Sequence, residues 1–264
     1  VGLGIMPAVV RNPVFAAMEI ATLARLYPGR FLPGFGHGIA RWMHQIGAFP
    51  KSQLTALEEV TATVRKLLAG EHFTFHGKHV QLEDAELVHP PDQSPPISLG
   101  VVGPKSLALS GRVADGTILG EYSGPGYVSW AREQIAGGKR EAGHDREHHL
   151  TVFAFACTAP MTAAARQQLR PMIASALASG GLDTKLAAMG ILSQVQDMRR
   201  QAQAHLEVAI PDAWIDALAI VGTPEDWRLA IDRLVEAGAD TVVLVPLPDK
   251  GLDEVEIFAQ HLSL

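Results

Sequence analysis

The stretch PISLGVVGPKSLALSGRVADGTIL, Pro96–Leu119, holds the reading of the fold in miniature. Ile97–Val101 is a short apolar run of strand composition, and Thr117–Gly120 is another. Between them Pro104–Val113 has helical periodicity, with proline at a first-turn position that needs no N–H. Strand, helix and strand in so short a span form a βαβ unit, whose two strands run parallel.

The same alternation extends in both directions. Strands are expected at Val1–Met6, Phe31–Phe35, Ile97–Val101, Thr117–Gly120, Leu150–Cys157 and Thr241–Val245. Helices are expected at about Pro13–Leu26, Leu54–Ala69, Pro104–Val113, Gly126–Ala142, Thr162–Ala178 and Leu252–His261. No linker or composition break divides the 264 residues, so the expectation is one α/β domain over 1–264, of barrel or doubly wound type. An eight-stranded barrel takes roughly 250 residues, but six strands would leave an open sheet edge. The expectation is therefore that two N-terminal βα units are lacking from this sequence. Three features interrupt the alternation. Residues 71–82, EHFTFHGKHVQL, alternate apolar and polar as an inserted hairpin. A helical stretch at about 180–209 reads as a lid or cap. Gly222-Thr223-Pro224-Glu225-Asp226 opens a further helix with its own capping residues.

Composition narrows the function. Apolar residues make up 47% and charged residues 19%, and the net charge of −6 gives no reason to expect nucleic acid. Cys157 is the single cysteine, so there is neither an internal disulfide nor a multi-thiolate metal site. With no signal-like start and no membrane-length apolar run, a cytoplasmic protein with a small-molecule substrate is expected.

In parallel α/β proteins ligands gather where strands end. Five places there bear on chemistry. In Gly2-Leu3-Gly4-Ile5-Met6-Pro7, glycines within a strand indicate either tight packing or close approach of a ligand to a bulged backbone. In Gly34-Phe35-Gly36-His37-Gly38, followed by Arg41 and Trp42, the imidazole either faces a cavity as a donor or proton carrier or serves as a buried structural group. At Val101-Val102-Gly103-Pro104-Lys105-Ser106, free N–H groups and the helix dipole converge on a place that suits a phosphate, although a Gly-Pro start is also a common cap. Glu121, beside Tyr122 after a strand, is either a base or orienting acid or a solvated loop carboxylate. Finally, the histidines His72, His76, His79 and His144, His148, His149 fall on an alternating hairpin and in a polar turn without a Cys partner, so no metal is expected. There is no G-x-S-x-G elbow, and Cys157 lies in an apolar strand as an inert thiol.

Two long motifs in this order resemble the bacterial luciferase-like family of flavin- and deazaflavin-dependent oxidoreductases. They are GLGIMPAVVRNPVFAAMEIATLARLYPGRFLPGFGHG, Gly2–Gly38, and the opening stretch Pro96–Leu119. Gly222-Thr223-Pro224-Glu225 and Ala237-Gly238-Ala239-Asp240 agree more weakly, so the resemblance spans nearly the whole chain. It implies a TIM (β/α)8 barrel, in a family whose members usually begin with two further βα units. It also implies an oxidoreductase binding coenzyme F-420, with FMN the alternative, and a homodimer. Members of the F-420-dependent methylenetetrahydromethanopterin reductase branch carry a non-proline cis peptide in the third strand against the deazaflavin ring, and Gly4-Ile5 occupies that place.

By the resemblance the coenzyme phosphate lies on the N–H groups of Val102 and Gly103 at the Pro104 helix. The implied coenzyme-binding residues are Gly4, Ile5, His37, Gly38, Val102, Gly103 and Pro104. His37 and Glu121 are the catalytic candidates, and Arg41 and Trp42 face the substrate. Where F-420-dependent sugar-phosphate dehydrogenases carry Thr-Gly-Glu after the fourth strand, this chain has His37-Gly38-Ile39, which speaks against sugar-phosphate oxidation by that route. The expected activity is hydride transfer between deazaflavin and a small organic substrate. The alternatives are an FMN-dependent monooxygenase using reduced flavin and oxygen, and a coenzyme-binding protein without turnover.

Overall fold

The computed structural model describes residues 1–201, 210–248 and 250–261. The chain divides into two compact units, Val1–Ile118 with Gln134–His149, and Leu119–Glu133 with Leu150–Leu264.

In the first unit the parallel strands run in the order β1 (Met6–Pro7), β2 (Gly34–Gly36), β5 (Ser98–Gly100) and β6 (Gly116–Leu119). Pro7 lies opposite Gly36, Gly36 opposite Gly100, and Gly100 opposite Ile118, so the carboxyl ends of these strands are level. Helix α1 (Pro13–Leu26) starts where the Asn12 side chain accepts from Val14 N–H and Pro13 stands at the first position. It buries Ile20 together with Ala16, Ala17, Ala21 and Ala24, whose small side chains allow close packing with α3 (Gln53–Leu68). The short α2 (Ala40–Gln45) precedes α3, and α4 (Pro104–Val113) links β5 to β6. The expected hairpin is present as β3 (Phe73–His76) and β4 (Gln81–Ala85), paired with each other and apart from the parallel sheet.

In the second unit the long β7 (His149–Thr158) is flanked by two parallel strands, β8 (Ile220–Gly222) and β9 (Thr241–Pro246). Helix α5 (Pro125–Glu141) starts in this unit. The core gathers Leu169, Ile173 and Leu177 of α6 (Thr162–Ala178), Leu186 of α7 (Asp183–Ala188), Val195 of α8 (Leu192–Gln201) and Ile215 of α9 (Asp212–Leu218). Helices α10 (Pro224–Glu236) and α11 (Gly251–His261) complete it, with Trp227 fully buried edge-on to Phe258. Of the expected cap at 180–209, α7 and α8 are helical and residues 202–209 lie outside the described residues.

The parallel strands number seven among the described residues, one more than the sequence reading counts. The addition is β8, three fully buried residues between a helix and a helix cap, too short for any periodicity to register. No described helix is long and apolar enough to cross a membrane.

Candidate functional site

The site in the first unit begins with an irregularity in its edge strand. Gly2 pairs with Leu32 and Met6 with Phe35, so four steps along one strand match three along its neighbour. One residue is extra, which makes a bulge, and the Gly4–Ile5 peptide within it is cis. The bulge turns the Ile5 side chain toward the backbone of the neighbouring strands. A Cβ added at Gly100 would lie 2.6 Å from Ile5 Cγ2, and one at Gly36 would lie 2.8 Å from Ile5 Cδ1. The glycines of β2 and β5 are therefore the space Ile5 fills, and what the bulge offers a ligand is its Gly4 backbone.

Because β2 and β5 pair level with each other, the residues that follow them meet. His37 Nε2 lies 3.1 Å from Ser106 Oγ on the first turn of α4. Burial pushes the imidazole below its ordinary value, against a weaker upward pull from the Gln53 backbone, so it is neutral at pH 7. Nδ1 is buried without a hydrogen-bond partner of normal geometry. Gly38 follows in the left-handed region at φ 71°, packed against Pro7 and Met43. Arg41 and Trp42 lie on α2, both exposed.

Helix α4 itself opens on Gly103, with no side chain capping it and no acid in its first turn. Helix geometry leaves the N–H groups of Lys105 and Ser106 without carbonyls of the preceding turn, while Pro104 has no N–H to leave. Gly103 has extended backbone, and a Cβ there would meet no atom within 4 Å. The starts of α2, α6, α7 and α9 also lack a side-chain cap, but each begins behind a residue with a side chain, Ile39, Met161, Leu182 or Pro211, whereas α4 begins behind an open glycine. At α1, α3 and α10 the chain closes the helix start with its own side chains. Ser52 caps α3, and at α10 the Asp226 carboxylate accepts from Thr223 N–H, Thr223 Oγ1 and Thr162 Oγ1. An anion is repelled from α10 and invited at α4.

Glu121 belongs to the second unit, on the loop after β6, and is half-buried. Its backbone carbonyl accepts from Lys185 Nζ at 2.5 Å, and the same ammonium donates to the Gly120 carbonyl at 2.9 Å and to Ser123 Oγ at 3.1 Å. Lys185 is buried on α7, and desolvation lowers its pKa to about 8, against an opposing pull from Glu121.

Two further polar residues escape the sequence reading besides Lys185. Ser106 looks like a helix-start residue and nothing in the sequence joins it to His37. Glu59, on α3, is buried and accepts the N–H groups of Lys78, His79 and Val80 at 2.7, 2.8 and 3.0 Å, which pins the hairpin tip to the helix. Burial works against its ionisation, but those three bonds prevail and its pKa lies below the usual value. Its sequence signal is a charge on an apolar helix face, between Ala56 and Val60. The hairpin histidines pair with acids, His72 with Asp84 and His76 with Glu83, and no described group of three or more His, Cys, Asp or Glu could hold a metal ion.

Comparison with known proteins matches this architecture. The chain is 29% identical over 254 residues to the 5,10-methylenetetrahydromethanopterin reductase of Methanolobus tindarius, covering 92% of this chain and 76% of that protein. The structure of the coenzyme F420 dependent tetrahydromethanopterin reductase from Methanopyrus kandleri superposes with a TM-score of 0.80 at 23% identity, covering 98% of this chain and 81% of that one. An F420-dependent secondary alcohol dehydrogenase in complex with an F420–acetone adduct gives 0.74 at 22% identity, over 98% and 77%. The fold shared with these structures is the TIM barrel. The model of the luciferase-like monooxygenase family matches residues 1–241, and the chain belongs to that family.

Proposed function

We propose that this protein is an F420-dependent oxidoreductase that transfers a hydride between the deazaflavin and a small organic substrate. The observation that carries the reading is the start of α4, where an uncapped first turn stands behind a glycine whose missing side chain leaves open space. That is the shape a phosphate needs to approach backbone N–H groups. In this reading Gly103 and the first turn of α4 hold the coenzyme phosphate, with Val102 and Pro104 forming the edges of the cradle. The Gly4–Ile5 bulge and the His37–Gly38 turn border the coenzyme ring. Arg41 and Trp42 face the substrate, and Glu121, on the loop after β6, is the second catalytic candidate with His37.

When bound, the deazaflavin supplies the ring carbon that gives or takes the hydride. The protein's share is to hold that ring, keep water away and orient the acceptor. His37, neutral at pH 7 and engaged by Ser106, is held beside the cradle and carries no charge to attract a second anion. The relatives named above support this coenzyme, since the Methanopyrus kandleri reductase and the secondary alcohol dehydrogenase are both F420-dependent.

The test is parallel titration with F420 and FMN, followed by fluorescence, then assay of reduced F420 with methylenetetrahydromethanopterin and with acetone as acceptors. Saturable F420 binding and oxidation of the reduced coenzyme are expected. Preference for FMN would replace this reading with a flavin monooxygenase, and F420 binding without turnover would leave a coenzyme carrier.

A further inference from the structure

Lys185 has no place in the hydride chemistry above, yet it is among the most completely buried charges described, 4% exposed. Its three donors are all committed: Gly120 carbonyl, Glu121 carbonyl and Ser123 Oγ. Ser123 Oγ in turn donates to the Gly120 carbonyl at 2.5 Å. The ring of Tyr127, the third residue of α5, lies under the ammonium at 5.4 Å. The loop Gly120–Ser123 is thus wrapped around a cation that belongs to another element.

The loop pays a conformational cost for this arrangement. Tyr122 has φ 63°, a left-handed conformation that a bulky residue adopts only when its surroundings impose it. Its ring is half-buried against Phe155 at 5.2 Å. Such strain gathers at sites where a side chain must be aimed. With the carbonyls of Gly120 and Glu121 both turned to Lys185, the side chains of Glu121 and Tyr122 are set by the clamp and not by bonds of their own to it.

We propose that Lys185 is a positioning residue of the substrate site: its ammonium fixes the Gly120–Ser123 loop so that Glu121 and Tyr122 are presented at the carboxyl end of β6. This rests on the functional reading above for the claim that the loop faces substrate. The claim that Lys185 sets the loop stands on the hydrogen bonds alone. The ionisable groups that face the ammonium are Glu121 on the loop and Tyr127 on α5, while Asp183, two residues earlier on its own helix, is engaged by Arg199 at 2.8 Å.

The chain has three tyrosines, Tyr27, Tyr122 and Tyr127, so full-length protein labelled with carbon-13 tyrosine gives a ring spectrum simple enough to assign, with Tyr122→Phe identifying one set. Lys185→Met should move the Tyr122 signals and leave those of Tyr27 in place, and Lys185→Arg should bring them back toward wild type. In wild type the Tyr122 signals should also shift with a midpoint near pH 8, and neither variant should show that step. With the acceptor that the wild type uses, Lys185→Met should raise KM about tenfold or more with a smaller loss in kcat, and F420 affinity should stay within twofold of wild type. Unmoved Tyr122 signals, or moved signals with unchanged KM, would overturn the proposal. If Lys185→Met does not fold, Ser123→Ala, which keeps the charge and removes one acceptor, decides by the same Tyr122 shift. A wild type that binds no F420 or uses neither acceptor would sink the functional reading instead, and the Tyr122 signals would still show whether Lys185 sets the loop.

Discussion

Gly103→Val separates binding from folding in a single substitution. Gly103 has φ −81° and ψ 160°, a conformation that valine adopts without strain, and its Cβ would enter space with no atom within 4 Å. Nothing in the protein is displaced, and the poorer N-cap that valine makes should cost at most about 1 kcal/mol, a fall in Tm of about 2–4 °C. The same branched side chain would stand where a phosphate must reach the N–H groups of the α4 first turn. Hydrogen bonds to a charged group contribute about 1.5–3 kcal/mol each, and at least one is lost, together with part of the helix-dipole attraction of about 0.3–1 kcal/mol. The sum, about 2–4 kcal/mol, is a rise in Kd of roughly 30- to 1000-fold. Fluorescence titration with F420, beside a thermal melt of each protein, reads both quantities. An unchanged Kd in the folded variant would refute the phosphate assignment, and a large drop in Tm would refute the description of Gly103 as open.

Gly100→Ala should do the reverse, because its Cβ would press on Ile5 at 2.6 Å, and overpacking of this kind costs about 1–3 kcal/mol. Thermal unfolding should show the loss before any titration does. Glu59→Gln should destabilise by about 1–3 kcal/mol by weakening the three bonds to the hairpin tip. Because the Glu59 carboxyl is held below its ordinary 4.5, its contribution is complete above that pH and is lost as pH falls through the lower folded value. Wild type and Glu59→Gln should therefore converge in Tm at acid pH, and parallel curves would reject the role. His37 has the same sign from a different cause, burial: the unfolded chain takes up its proton first, near 6.5, so the folded protein should lose stability relative to His37→Gln as pH falls below that value. Melts between pH 5 and 7.5 check the sign.

What the sequence makes legible follows the range of the interactions involved. The helices Pro13–Leu26, Pro104–Val113 and Thr162–Ala178 are read to the residue, since periodicity and, in the first two, a first-turn proline are local signals. Strand β8 is missed because burial from all sides leaves a three-residue run with nothing to alternate. The edge strand is expected over Val1–Met6, but its hydrogen-bonded register is broken by the extra residue at Gly4–Ile5. Two glycines in the strand point to a bulge without fixing its place, which the family resemblance puts at Gly4-Ile5, where the cis peptide lies. Glu59, Ser106 and Lys185 are each defined by a partner 19 to 69 residues away in sequence, Lys78, His37 and Glu121 among them. No propensity or spacing reports such pairs, and a lysine in Asp183-Thr184-Lys185 reads as an ordinary surface charge.

The start of α4 is legible for a different reason: what marks it is a missing cap together with a glycine before the first-turn proline, and a missing local interaction is as readable as one that is present. Helix N-termini need acceptors, and this chain supplies them from its own side chains at Asn12, at Ser52 and through the reciprocal Thr223–Asp226 pair. Each of those residues is the standard cap for its position, visible without any structure. At Gly103 the chain offers no oxygen, a backbone open to approach, and a helix whose first turn holds Pro104 and Lys105 but no acid. A helix of ten residues does not need to be left uncapped for its own stability, since a serine at position 103 would contribute a few tenths of a kcal/mol over glycine. Gly103→Ser therefore makes the argument quantitative. If the terminus is kept open for an anion, the serine variant should melt higher and bind F420 more weakly. If it is merely an unimproved cap, the variant should gain the stability and lose no affinity.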